Sequence, residues 1–146
     1  MRIRAAWIGK SKHSAACAWT EEYLTRLRGF ARRATVAGEE LAGRDPQAKL
    51  LERAQGARLW LCDPGGRTLT SPEFAQFLER EAAAAGNREI VIAVGGADGF
   101  SAPIQAAAAG KLSLGPLTLS HELARVVLLE QLYRALAILS GHPYPH

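Results

Sequence analysis

No apolar run in this 146-residue chain reaches the roughly 18 residues that a membrane span needs, so a transmembrane helix is not expected. The start, Met1-Arg2-Ile3-Arg4-Ala5-Ala6-Trp7-Ile8, goes straight into a strand-like pattern. It lacks the apolar stretch and small-residue cleavage site of a secretory signal. Cysteine is scarce. Cys17 and Cys62 offer neither metal-ligand spacing nor a disulfide framework, so a reduced, cytoplasmic setting without a bound metal is expected. Gly9-Lys10-Ser11 looks like the end of a Walker A motif, but Arg4 stands where its first glycine is needed. Gly95-Gly96-Ala97-Asp98-Gly99 is not GxGxxG, because its first two glycines are adjacent. HExxH and GxSxG are missing too, so kinase and hydrolase readings have little support. There is no internal repeat and no low-complexity linker, which predicts one domain over residues 1–146.

What is present is a globular composition with an uneven charge. Apolar residues make up 48% and charged ones 22%, enough apolar surface to bury a core. Residues 1–36 carry eight basic side chains against Glu21 and Glu22, a net of +6; the chain's total of +4 leaves −2 for the rest. Lys10, Lys12, Arg26, Arg28, Arg32 and Arg33 are therefore candidate contacts for a polyanion such as RNA, since each cation near a phosphate releases condensed counterions. A solvated arginine-rich face reads the same way.

Apolar runs at 2–8, 34–37, 58–62, 89–94 and 112–117 predict strands. Between them lie helix signals: Thr20 as an N-cap before Glu21-Glu22, a helix over 46–55 opening at Pro46, and Ser71-Pro72-Glu73 with serine as the cap. Ser101 caps an alanine-rich helix that stops at Gly110, and Ser120 caps the last and longest helix. Strands alternating with helices predict an α/β fold with a mainly parallel sheet flanked by helices. Ligands of such sheets bind beyond the carboxyl ends of the strands. Those ends are Asp63-Pro64-Gly65-Gly66, Gly95 to Phe100, and Gly115-Pro116.

The stretch from Ile90 to Phe100 is a buried-strand pattern ending in three glycines within five residues. Glycine there lets backbone N–H groups approach a nucleotide-like ligand, and a Cβ at Gly96 is expected to take up ligand space. A tight turn alone would leave the same pattern. The stretch from Leu112 to Leu123 runs through Gly-Pro into a helix N-terminus whose amides suit a carboxylate or a base edge. His121 in that stretch is a catalytic candidate, though an isolated histidine is more often a surface or capping residue.

Three segments carry a specific resemblance: Gly-Gly-Ala-Asp-Gly-Phe-Ser from Gly95, Leu-Thr-Leu-Ser-His-Glu-Leu-Ala-Arg-Val-Val-Leu-Leu-Glu-Gln-Leu-Tyr-Arg-Ala from Leu117, and Gly-His-Pro-Tyr from Gly141. The chain resembles the ribosomal large-subunit RNA methyltransferase H family, the minimal member of the SPOUT superfamily. The N-terminal half agrees more loosely, at Ile8-Gly9-Lys10, Glu22-Tyr23-Leu24 and Leu61-Cys62-Asp63. The resemblance implies S-adenosylmethionine as methyl donor, N3 of a pseudouridine in large-subunit rRNA within the ribosome as acceptor, a homodimer, and a C-terminal trefoil knot. It also implies a cofactor pocket built from Leu61, Cys62, Asp63, Gly95, Gly96, Gly115, Pro116, Leu117, Thr118, Leu119 and Ser120. His121, Arg125, His142 and Tyr144 are the catalytic candidates on the last helix and tail. Tyr133 and Arg134 are further polar groups there. Here the tail departs from the family pattern: Pro145 replaces a histidine and no basic residue follows. Two other readings fit the residues: a non-catalytic RNA-binding protein of this fold, and a SPOUT enzyme acting on another RNA such as tRNA.

Overall fold

The computed structural model describes residues 1–143. Tyr144, Pro145 and His146 lie outside the described residues. Five strands, β1 (Arg2–Ile8), β2 (Thr35–Leu41), β3 (Arg58–Thr68), β4 (Ile90–Val94) and β5 (Gly110–Ser113), form one sheet in the order β2-β1-β4-β3-β5. Every neighbouring pair is parallel. The helices are α1 (Ser14–Leu27), α2 (Pro46–Ala54), α3 (Ser71–Ala85), α4 (Ala102–Ala107) and α5 (His121–Leu139). The expected α/β architecture with a parallel sheet is what the chain adopts.

Alternation along the strands sends side chains into two separate cores. Ile3, Ala5, Trp7, Trp60, Ile90, Ile92 and Val94 face one layer, packed with Phe77 and Leu78 of α3 and Leu128, Leu132 and Leu136 of α5. Ala6, Ile8, Leu59, Leu61, Val91 and Ala93 face the other, with Leu50 of α2 and Ile104 of α4. β4 is buried at all five positions because strands and helices cover it on every side, which is why its sequence is apolar without a break. Fully burying each large aliphatic side chain stabilises by about 1.5–3 kcal/mol.

Several local expectations give way to tertiary structure. α1 begins at Ser14, so Thr20 sits inside the helix, where its hydroxyl donates to the Ala16 carbonyl oxygen at 2.8 Å. The cap of α3 is Thr70, one residue before the serine expected: its Oγ1 accepts from Glu73 N, and the Glu73 carboxylate accepts from Thr70 N. β2 runs to Leu41, well past 37, because Glu39 and Glu40 pair along β1 and keep their carboxylates at the surface. Gly110 opens β5; α4 has already ended at Ala107, and Leu114 to Leu117 belong to a loop. The largest difference is in β3. It does not stop at Cys62 but continues to Thr68, with a register shift against β5 between Cys62 and Arg67. The bulging segment 63–66 is the expected strand-end loop, now held inside an irregular strand. Gly66 makes this possible: a Cβ there would lie 2.6 Å from the Lys111 carbonyl carbon and 2.7 Å from Leu112 N.

Candidate active site

The sheet registers bring three strand ends level. Cys62 of β3 is paired with Val94 of β4, which is paired with Trp7 of β1. Beyond these ends lies a cavity of about 420 Å³. Its floor is Cys62, Asp63 and Val94; one wall is the glycine turn with Phe100; the other is the loop from Leu114 into His121 and Ala124 of α5. Ten of the sequence-predicted site residues thus come together: Cys62, Asp63, Gly95, Gly96, Gly115, Leu117, Thr118, Leu119, Ser120 and His121. Leu61 does not line the cavity, because alternation turns it into the core beneath α2, fully buried. Pro116 is exposed and also outside the lining. Phe100, Leu114 and Ala124 line it without having been singled out. Phe100 and Leu114 fall inside the two stretches read as ligand-facing, though neither was named as a cofactor contact; Ala124 carried no signal.

The polar groups of the cavity have distinct chemistry. Burial pushes the Cys62 thiol up to about 12, so it is a neutral thiol near neutral pH. Asp63 Oδ1 accepts from Gly65 N at 2.8 Å, which shapes the bulge of β3. Ser113 Oγ donates to the Gly115 carbonyl oxygen at 2.9 Å and accepts from Gly115 N at 3.2 Å. That knot of bonds holds Gly115 at φ +134, a conformation side-chain-bearing residues rarely adopt. Ser120 caps α5, its Oγ accepting from Leu123 N at 3.3 Å. His121 follows at the helix N-terminus, half-buried on the rim.

Gly96 lines the cavity and also packs against the end of β1. A Cβ built on it meets the Ile8 carbonyl oxygen at 3.3 Å, so the missing side chain lets the turn press onto the end of β1.

Arg125 also departs from its expected place. It is 2% exposed and does not line the cavity. Its guanidinium donates to the carbonyl oxygens of Ile8 (3.0 Å) and Gly9 (3.1 Å) and to Ser11 Oγ (3.2 Å). Ser11 N and Oγ in turn donate to the Glu40 carboxylate. One turn before Arg125, the buried Glu122 accepts from Lys12 N (2.8 Å) and His13 N (3.1 Å). α1 has no side-chain cap of its own at His13, and the Glu122 carboxylate fills that role from another helix. The amides of His13 and Lys12 hold the Glu122 carboxyl below its ordinary value. The first turns of α5 therefore line the cavity with His121 and Ala124, and grip the loop 8–13 with Glu122 and Arg125.

Lys10 and Lys12 are exposed on that gripped loop. Arg26, Arg28, Arg32 and Arg33 lie at the opposite end of α1. Arg26 pairs with Glu22 and Arg33 with Glu79. The basic N-terminal third is thus two patches separated by a 14-residue helix. His142 is exposed past the C-terminus of α5, edge-on to Phe30 at 6.1 Å, on the side of the second patch. Tyr144 lies outside the described residues. Among the described residues no group of three His, Cys, Asp or Glu could hold a metal ion, and no helix is long and apolar enough to cross a membrane.

A family model described as a predicted SPOUT methyltransferase matches residues 1–146. The chain is 36% identical over 154 residues to "Ribosomal RNA large subunit methyltransferase H" of Geobacter sp. strain M21, covering 100% of this chain and 99% of that protein. It is 42% identical to the protein of the same name from Koribacter versatilis, over 148 residues, with 99% and 97% covered. The Sorangium cellulosum protein of that name is also 42% identical, over 151 residues and the full length of both chains. The parallel sheet, the three-loop cavity and this end-to-end similarity agree: the chain belongs to the SPOUT methyltransferases, within the ribosomal RNA large subunit methyltransferase H family.

Proposed function

We propose that this chain transfers a methyl group from S-adenosylmethionine to N3 of a pseudouridine in large-subunit ribosomal RNA. It acts in the cytoplasm, as a homodimer, on the assembled ribosomal subunit or ribosome. The observation that carries this reading is the cavity itself, formed by the three strand-end loops and rimmed by a histidine. Its volume falls within the range of about 300–1,000 Å³ usual for small-ligand sites. Val94, Phe100, Leu114, Leu117 and Leu119 give apolar walls suited to an adenine ring and a thioether chain. The names of the relatives supply the class of RNA. The trefoil knot of the family belongs to the same reading.

The donor would supply an electrophilic methyl group on a sulfonium. The chain's own part is to hold the acceptor in line and to favour its N3 anion. Among the described residues, three titratable side chains line the cavity: Cys62, Asp63 and His121. Cys62 is a neutral thiol and Asp63 is bonded to the Gly65 amide, which leaves His121 to take the imide proton from N3. Arg125 supports the site from behind. His142 lies past the far end of a 19-residue helix from His121, about 27 Å away along the axis at the usual rise per residue. In one chain the two cannot meet over a base, which supports a dimer in which one copy's tail and distal basic patch face the other copy's cavity.

The test is mass spectrometry of 23S rRNA from a strain lacking this protein. One methylated pseudouridine should vanish, return with the wild-type chain, and stay absent or fall by a factor of about 10²–10⁴ in rate with His121→Ala. An unchanged modification pattern in the deletion strain sinks the reading.

A further inference from the structure

The glycine turn that walls the cavity is held from behind by a residue of a different helix. Gln47, half-buried in the first turn of α2, donates from Nε2 to the Gly99 carbonyl oxygen at 3.0 Å. Its Oε1 accepts from Ser101 N at 3.1 Å. One amide side chain therefore ties the peptide units on both sides of Phe100. The orientation of the amide is fixed by its partners, because a flipped amide would set oxygen against oxygen and N–H against N–H. The other carbonyl of the segment is also engaged: Gln105 Nε2 donates to the Phe100 carbonyl oxygen at 3.0 Å.

The turn has few other restraints. Gly99 sits at φ +69 with open space where a Cβ would be, and Gly99 N donates to the Gly96 carbonyl oxygen at 3.1 Å. Ser101 precedes α4 without a side-chain cap bond. Three glycines in five residues leave a chain with much conformational freedom to lose on ordering. Phe100, between the two tied peptides, lays its ring 3.4 Å from the Cβ position of Gly95 and lines the cavity. Where that ring stands sets the width of the cleft against Leu117 and Leu119.

We infer that Gln47 is a positioning residue for methyl-donor binding: it pre-orders the 95–101 turn and so fixes Phe100 as a wall of the donor site. The inference rests on the cavity being that site. Gln47 does not touch the cavity itself and takes no part in methyl transfer. Its role is to supply beforehand the ordering that the ligand would otherwise have to impose, and the lost preorganisation should weaken donor binding.

Two variants and two readouts test this. Gln47→Met keeps the length of the side chain and removes both bonds. Calorimetric titration with S-adenosylmethionine should show about a tenfold weaker Kd, as expected for losing one to two hydrogen bonds of ordinary strength. Gln47→Glu keeps the acceptor for Ser101 N but sets a carboxylate oxygen against the Gly99 carbonyl at pH 8. On lowering the pH to about 5.5 the introduced carboxyl, its pKa raised by that opposing oxygen, takes up a proton and can donate to Gly99 again. The ratio of the variant's Kd to that of the wild type, measured at each pH, should fall towards one on acidification; a merely structural defect would leave it constant. Amide hydrogen exchange at Ser101 should speed up in both variants at pH 8, with or without donor. Wild-type affinity in both variants, a ratio that does not respond to pH, or unchanged exchange at Ser101 each overturns the role of Gln47. A wild-type chain that fails to bind S-adenosylmethionine, with faster Ser101 exchange in the variants, overturns the cavity's assignment and with it the donor part of the inference, while the clamp on the turn stands.

Discussion

At the scale of single residues, the site depends on groups whose ionisation the fold has already decided. Cys62 remains a thiol, and Cys62→Ser should methylate ribosomes at close to the wild-type rate; a loss of more than about tenfold would return the cysteine to the mechanism. Arg125 acts as a fastener. It is buried against two carbonyl oxygens and a hydroxyl, so removing it leaves those acceptors unpaired. Arg125→Met should cost about 3 kcal/mol in urea unfolding. A change under about 0.5 kcal/mol would mean that the loop 8–13 is not held this way. Glu122 carries a pH dependence with a definite sign. Its folded carboxyl lies below the ordinary value of 4.5, first through the His13 amide and then the Lys12 amide. Its contribution is therefore present at neutral pH and lost as pH falls below that value through the folded one. Urea unfolding followed by circular dichroism should show wild-type stability falling as the pH drops below 4.5, and Glu122→Gln should be less stable at neutral pH and flatter against pH in that acidic window. Gly9 is bound to the same arrangement: at φ +107, with the Arg125 guanidinium 3.3 Å from its Cβ position, only glycine fits without strain.

At the scale of elements, β3 and β5 define how the first pocket loop is made. β3 bulges between Cys62 and Arg67 and rejoins β5 with Arg67 opposite Leu112. Gly66→Ala would drive a methyl group into the Lys111–Leu112 backbone, which can give only by parting the strands. A loss of about 1–3 kcal/mol is expected, with weaker S-adenosylmethionine binding because Asp63 and Pro64 shift with the bulge. An unaltered melting curve would show that the bulge tolerates a side chain. Much of this level was legible beforehand. The strand 2–8 was read to the residue, β4 within one residue, and the loops that end β3, β4 and β5 were picked out as ligand-facing. Thr20 and Ser71 were misread because good cap residues exist at several neighbouring positions. The choice among them was made by packing: α1 starts seven residues earlier, with its cap at His13 in place of Thr20, because Glu122, from the far end of the sequence, caps it. No local rule could anticipate that acceptor.

At the scale of the whole molecule, charge and apolar surface fall into separate places. Leu128, Leu129, Leu132 and Leu136 of α5 are all buried within one chain, packed between α1 and α3. What remains outward is narrower: Leu123 at 55% and Ile138 at 44% exposure, with Val126, Val127 and Leu139 half-buried. A dimer through this strip should sediment at twice the chain mass at micromolar concentration, and Leu123→Asp with Ile138→Asp should shift it towards monomer. A wild-type monomer would refute the dimer. The two basic patches make a separate prediction. Neutralising Lys10 and Lys12 beside the cavity should reduce the slope of log affinity for RNA against log salt by roughly 1.5–2, and leave donor affinity unchanged. An unaltered slope would reduce these lysines to solvated surface.

The sequence by itself determined the class of fold and the address of the site. Unbroken apolar strands between helices permit little other than a covered parallel sheet, and glycine or proline after such strands marks where backbone can approach a ligand. Tertiary structure alone decided which residues face the cavity and which hold it in shape. Leu61 and Cys62 are neighbours, yet the pleat sends one into the core and the other to the cavity floor. Arg125 reaches back 117 residues to Ile8, and Gln47 forward 52 to Gly99. These bonds join a side chain to a backbone group, and a backbone group has no identity in the sequence. They leave no periodicity, spacing or composition to read, and exist only once the sheet has brought the strand ends level.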